Sequence, residues 1–267
     1  MNVAVVGHVE WIEFVRVEAV PKPGEIVGST EVWSEPAGGG GVASVELARL
    51  AGRSALYCLL GGDNLGAQSR VRLEAAGVRV HSPHSDEPQR RGFCYVDDVG
   101  ERTITVIGDK ARPPGGEGSL PWEELDGVDG VYFTAGDAEA VRQARRARVL
   151  VATARELPTL HAAGVELDAL VASGEDDAER YQAGDLDPPP RLVVSTAGAL
   201  GGWAQPGGPY KPVVPPGPFE DAYGAGDCFA AGLTFALAQG MEIPDALAFA
   251  SERGALALTR RGVGLTG

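Results

Sequence analysis

The sequence predicts an α/β protein: a mostly parallel central sheet flanked by helices on both faces, with a small β-sheet set outside it. Three observations carry this. Short apolar runs alternate with segments of helical spacing from residue 3 to residue 81, and the alternation resumes from residue 128 onward. Between them lie two excursions of extended segments, at 11–33 and 91–107, each broken by turn-forming residues. No linker is long enough to separate two independent domains, so residues 1–267 read as one domain.

Residues 3–7 form an apolar strand ending at Gly7. The glycines at 38–41 lead into Val42-Ala-Ser-Val-Glu-Leu-Ala-Arg-Leu, whose apolar spacing is helical. A strand follows near 55–60, then a helix over 63–77 closed by Gly77, then a strand over 78–81. Parallel strands need helical crossovers, so this order makes βαβ units. Residues 92–96 and 102–107, joined by Asp97-Asp98-Val99-Gly100, read as a hairpin. The other excursion, 11–17 with 25–33, is interrupted by Pro21, Pro23 and Gly24. After the Pro/Gly-rich loop 112–121 come strands near 128–133, 149–152 and 169–172, alternating with helices over 138–147 and 158–163. A helix over 176–181 ends before Pro188-Pro-Pro, and Arg191 starts another strand.

Lys plus Arg number 23 against 37 Asp plus Glu, a formal net charge of −14, which argues against nucleic acid or an anionic membrane as partner. An anionic ligand must then be held by local backbone donors or a few basic side chains. The cysteines, Cys58, Cys94 and Cys228, lie in apolar stretches without metal-ligand spacing and read as buried thiols in a reducing compartment. No apolar run approaches a membrane span and the N-terminus reads as a strand, so the expectation is a cytoplasmic protein. His8, His81, His84 and His161 lack metal-motif spacing and read as loop or strand-end residues.

The segment most suited to chemistry is Asp221-Ala-Tyr-Gly-Ala-Gly-Asp227, followed at once by an apolar helical run. Unpaired amides at a helix N-terminus suit a phosphate or a developing anion, and a carboxylate beside them can act as a base. Locally, the same residues also suit a tight turn with an Asp cap. No Walker-type P-loop, no Gly-x-Gly-x-x-Gly after the first strand and no nucleophile elbow occurs.

What distinguishes the chain is an ordered set of glycine-centred elements: 38–41, 61–66, 196–202 and 221–227, each at a strand end or helix start. That order, with Leu73…Gly77-Val78 and the closing stretch from Ala250 to Gly262, resembles the ribokinase-like carbohydrate kinases of the PfkB family over nearly the whole chain. The resemblance implies ATP-dependent transfer of the γ-phosphoryl group to a hydroxyl of a small sugar or polyol. By the same resemblance, Asp227 is the catalytic base and the amides of Gly224, Ala225 and Gly226 form its anion hole. Thr196, Gly198 and Gly201 match the stretch that lies along the nucleotide, and Gly38, Gly39 and Gly40 match the glycines that face the acceptor. Segments 11–33 and 91–107 match the family's lid, which closes over the sugar and makes a homodimer plausible.

The chain also departs from the family pattern. Where the first strand is usually followed by a sugar-binding Asp, Glu10 and Glu13 lie nearby with Ile12 at the usual spacing; Glu13 is taken as the substrate contact. Val42 or Ala43 stands where an Asn follows the glycines. The Asn-x-x-Glu stretch that organises Mg2+ and phosphates is replaced by Ser173-Gly-Glu-Asp176, which leaves Asp176 as a ligand through water and Ser173 beside the nucleotide. Ser251 occupies the place of an adenine-binding Asn, and the backbone near Asp221 is where some members hold a monovalent cation. These departures motivate the alternative of a non-catalytic ligand-binding or regulatory protein on the same scaffold.

Overall fold

The computed structural model describes residues 1–265. Its main sheet follows from the predicted alternation: β1 (Val3–Val6), β4 (Ser54–Tyr57), β5 (Val78–His81), β8 (Gly130–Phe133), β9 (Val149–Thr153), β10 (Ala169–Ser173) and β11 (Val193–Thr196) are parallel. An antiparallel hairpin, β12 (Gly202–Gln205) and β13 (Gly208–Tyr210), extends the β11 edge, giving the order β13-β12-β11-β10-β9-β8-β1-β4-β5.

Alternate residues of each parallel strand feed two cores. Val3, Val5, Tyr132, Val151 and Val171 pack with residues of α1 (Gly38–Ala51), α5 (Ala225–Ala238) and α6 (Ile243–Ala257). Ala4, Val6, Val131, Leu150 and Leu170 pack instead with residues of α3 (Ala138–Ala144) and α4 (Leu157–Ala163). Helices thus cover both faces, as period-2 strands buried on two sides require. Among the described residues, no helix is long and apolar enough to cross a membrane. Cys58, Cys94 and Cys228 are free and buried, and burial raises each thiol's pKa.

The second sheet has the order β3-β2-β6-β7, built from β2 (Glu10–Arg16), β3 (Glu31–Ala37), β6 (Arg91–Val96) and β7 (Arg102–Ile107). Each outer pair is antiparallel, and β2 and β6 meet in parallel, with Trp11 opposite Arg91. The sheet docks on the loop before α5: Ala222 N donates to Gly100 O at 3.2 Å and Arg102 Nη1 to Ala222 O at 2.5 Å. Phe14 stacks on Trp33 at 4.9 Å and meets Tyr223 edge-on at 5.0 Å, which ties this sheet to the glycine segment itself.

Three expectations shift. The second strand of the first excursion lies at 31–37 rather than 25–33, because residues 18–30 are exposed irregular chain around Pro21, Pro23 and Gly24. Helix 176–181 is only a 3-10 turn at Asp177–Glu179, opened by the Asp176 carboxylate accepting from Ala178 N at 2.9 Å. The glycines at 38–41 do not precede α1 but form its first turn, with Gly38 at φ +75°.

Candidate active site

The carboxyl ends of β1, β8, β9 and β10 deliver His8, Thr134, Arg155 and Ser173 to one edge of the sheet, where α1 and α5 also begin. Close approach there demands glycine: a Cβ on Gly7 would collide with Thr134 Oγ1 and come within 2.9 Å of Gly40 Cα. Ligands of open parallel sheets bind at this edge.

The two helix starts differ in a way that decides their roles. At α1, Gly38 N donates to Tyr223 Oη at 3.1 Å, Gly39 N to His8 Nε2 at 3.4 Å and Gly40 N to His8 O at 3.0 Å, so its first amides are spent. At α5, Gly224 takes a left-handed φ of +74°, and the first backbone bond runs from Cys228 N to Gly224 O at 2.9 Å. Among the described residues nothing accepts from the amides of Ala225, Gly226 and Asp227, and a Cβ on Gly226 would point into open space. Only α5 presents donors to a phosphate or developing anion.

Asp227 sits in the first turn of α5, partly exposed. Burial pushes its carboxyl from the ordinary 3.8 up to about 6, helped by the negative charge of Glu179; Arg102, Arg155 and the Tyr132 hydroxyl pull the other way. The helix terminus alone would hold the group low, so desolvation wins. At neutral pH the group remains ionised yet basic enough to accept a proton. Tyr132 Oη lies 3.5 Å from Asp227 Oδ1, and burial keeps that phenol protonated, so it acts as donor.

Of the three glycines expected to face the acceptor, Gly39 lies against Asp227. A Cβ there would lie 3.0 Å from Asp227 Oδ1, 3.2 Å from Thr134 Oγ1 and 3.4 Å from His8 Cε1. Gly38 and Gly40 instead press on the His8–Glu10 segment, where a Cβ on Gly38 would sit 3.1 Å from Glu10 N and one on Gly40 2.6 Å from His8 O. Of the expected acceptor glycines, the structure brings one to Asp227 and uses two for packing.

Glu13 is not brought to the site. It lies on the face of β2 opposite Glu10, Ile12 and Phe14, and pairs with Arg91 at 2.6 Å. Glu10 occupies the inner face instead, 3.7 Å from His8 Nε2 and 3.1 Å from Arg90 Nη1. Burial raises its pKa, against the pull of Arg90 and Lys110. Strand parity was the available signal, but Trp11 makes both faces of β2 look apolar.

On the expected nucleotide side, Thr196 Oγ1 donates to Ala172 O at 3.3 Å, which locks β11 to β10. Gly198 has φ +49° in the 3-10 turn Gly198–Leu200, while a side chain on Gly201 would collide with the Tyr210 carbonyl. Gly201 is thus required by packing against β13. Ser173 N donates to Glu179 Oε2 at 2.9 Å, and Ser251 Oγ back-bonds to Leu247 O at 2.8 Å in α6. Arg155 Nη2 holds both Asp176 Oδ2 at 2.6 Å and Glu179 Oε1 at 2.5 Å. Backbone and Arg155 hydrogen bonds hold Asp176's pKa down, whereas Glu179 is the carboxylate whose charge reaches Asp227. The Asp221 carboxylate accepts from Tyr223 N at 2.8 Å and Gly262 N at 2.7 Å, fastening the glycine segment to the C-terminal turn.

Comparison with known proteins agrees with this architecture. The family model described as "pfkB family carbohydrate kinase" matches residues 1–148 and 146–266. An ATP-dependent ribose-1-phosphate kinase of Halopiger xanaduensis is 31% identical over 279 residues, covering 96% of this chain and 91% of that protein. A microbiome-derived acarbose kinase superimposes with a TM-score of 0.80 at 22% identity, covering 98% of this chain and 93% of its own. The ribokinase of Cryptococcus neoformans in complex with ADP gives 0.75 at 20% identity, covering 98% and 95%. The small sheet and the parallel sheet are therefore the ribokinase-like arrangement, and the chain belongs to the PfkB family of carbohydrate kinases, a phosphotransferase family.

Proposed function

We propose that this sugar kinase transfers the γ-phosphoryl group of ATP to a hydroxyl of a small sugar, with Asp227 as the base. The observation that carries the reading is a carboxylate with its pKa at about 6, beside the unpartnered first amides of α5 and facing Gly39. Asp227 takes the acceptor hydroxyl's proton as the oxygen attacks phosphorus, and Tyr132 keeps the carboxylate oriented. The amides of Gly224, Ala225 and Gly226 receive negative charge gathering on the transferring group. The small sheet closes on the acceptor side and keeps water from competing as nucleophile.

The nucleotide is placed along Thr196, Gly198 and the α5 N-terminus, with Ser173 and Ser251 flanking it. Among the described residues there is no group of three or more side chains suited to hold a metal. Asp176 and Glu179 are both engaged by Arg155, so a magnesium ion would be held near them through water. Bound there, the ion would neutralise phosphate charge. The Asp221 carboxylate is committed to backbone amides, so a monovalent cation there would be held by backbone carbonyls instead. A homodimer through the lid completes the proposal: β7 is exposed along its whole length, including Ile104, Val106 and Ile107, and sedimentation tests it.

Because the Halopiger relative is named for ribose 1-phosphate, that sugar phosphate is the first acceptor to offer, beside ribose and other pentoses. Acceptor-dependent ADP release with Mg·ATP is the expected result. Calorimetric binding of sugar or nucleotide with no ADP release across the panel would instead support the non-catalytic alternative.

A further inference from the structure

In a chain of net charge −14, basic side chains gather around His8, whose ring accepts from Gly39 N. Lys110 Nζ and Arg112 Nη1, which follow β7, converge on the buried Glu156 carboxylate at 3.0 and 2.5 Å. Arg90, which precedes β6, lies against Glu10 at 3.1 Å. Its Nη1 makes that ion pair, while its buried Nε finds no hydrogen-bond acceptor, an expensive state for a guanidinium fork. Lys110 pairs with Glu156, and its charge also lowers the pKa of Glu10.

His8 reports the field at this spot. It touches Gly39, as Asp227 does, and its pKa is pushed well below 6.5 first by burial and then by Lys110, Arg90, Arg112 and Arg155. Asp227, which also lies against Gly39, is raised by burial and Glu179 and lowered by Arg102 and Arg155. Arg90, Lys110 and Arg112 thus act on His8, and Arg102 on Asp227.

We infer that Arg90, Lys110 and Arg112 bind a phosphate group carried by the acceptor, so that the enzyme selects a sugar phosphate over a neutral sugar. The inference rests on the proposed role of Asp227 and deepens it, since it assigns the residues that read the acceptor. Three cations face two carboxylates, Glu10 and Glu156, leaving one positive charge. That surplus suits a phosphate monoester dianion, for which planar guanidinium forks are matched in geometry. Glu156 is only 1% exposed and keeps Lys110 and Arg112 in place without a ligand. Bringing a second phosphate into a cleft that also binds ATP would otherwise be repulsive, and placing it at the far end separates the two charges.

The test is steady-state ADP release by the wild-type protein with ribose 1-phosphate, ribose 5-phosphate, ribose and gluconate, repeated with Lys110→Met, Lys110→Arg and Arg112→Met. A phosphorylated sugar should exceed ribose and gluconate in kcat/KM. Lys110→Met and Arg112→Met should each raise KM for that acceptor about 10- to 100-fold while leaving KM for ATP within about twofold, and Lys110→Arg should recover most of the loss. Melting temperature and circular dichroism check that each variant is folded. Should a variant fail to fold, calorimetry of the sugar phosphate on the wild-type protein without nucleotide, with inorganic phosphate as competitor, decides: competition supports the site and its absence overturns it. Ribose or gluconate matching the phosphorylated sugar, or Lys110→Met leaving KM unchanged, overturns the subsite while kinase activity stands. Absence of ADP release with every acceptor defeats the kinase reading instead, and sugar-phosphate binding by calorimetry then judges the subsite alone.

Discussion

Replacing Asp227 by Asn should separate activity from stability. An acid whose folded pKa lies above its unfolded value binds protons more tightly when folded. Its ionisation therefore weakens the fold as pH rises from 3.8 through about 6, and the cost is complete above that. The rise corresponds to at most ~3 kcal/mol, and because Asp227 is partly solvent-exposed the recoverable part is about 1–2 kcal/mol. Asn keeps an oxygen for Tyr132 and removes the charge. Asp227→Asn should thus raise Tm by about 2–6 °C at pH 7.5, with the gain vanishing near pH 4. The same change should lower kcat by roughly 10²–10⁴. Paired calorimetric melts and turnover assays check both. A variant that melts lower at pH 7.5, or one that turns over normally, would refute the assignment of Asp227 as a desolvated base.

Further outcomes follow from the same geometry. Turnover should fall tenfold per pH unit below about 6 as Asp227 protonates, and Glu179→Gln, which removes a negative neighbour, should move that acidic limb to lower pH; an unmoved limb contradicts the coupling. Gly39→Ala places a methyl 3.0 Å from Asp227 Oδ1 and should cut kcat/KM for the sugar about 10- to 100-fold, whereas its KM for ATP stays near normal. Gly226→Ala meets no protein atom and should leave Tm equal or higher by a few degrees, with any loss confined to nucleotide kinetics.

The parallel sheet and the strands of the small sheet were legible in the sequence because both depend on local periodicity. Apolar strands alternating with helical spacing left few topologies, and Asp97-Asp98-Val99-Gly100 fixed the β6–β7 hairpin. Helix 176–181 was misread because its acidic residues suit a helix start, yet Asp176 and Glu179 turn back to Arg155 and stop the helix at one turn. The β12–β13 hairpin escaped notice, since Gly201 and Gly202 pointed to a ligand while their space is taken by Tyr210.

The glycine segment 221–227 was equally visible, being contiguous. The residues around it were not. His8, Tyr132, Thr134 and Glu179 stand singly, in stretches with no motif, and only the parallel sheet brings them to one edge, while Arg90 and Lys110 come from the ends of β6 and β7 in the other sheet. Choosing Glu10 over Glu13 required knowing which face of β2 turns inward, and that face is the one Phe14 packs against Tyr223.

The most direct test of the central claim is phosphorus NMR of the wild-type protein with Mg·ATP and a sugar acceptor, ribose 1-phosphate first. A new phosphate-ester resonance growing in step with ADP is the predicted result. ADP accompanied only by inorganic phosphate, or an unchanged spectrum with acceptor and ATP both bound, would contradict it.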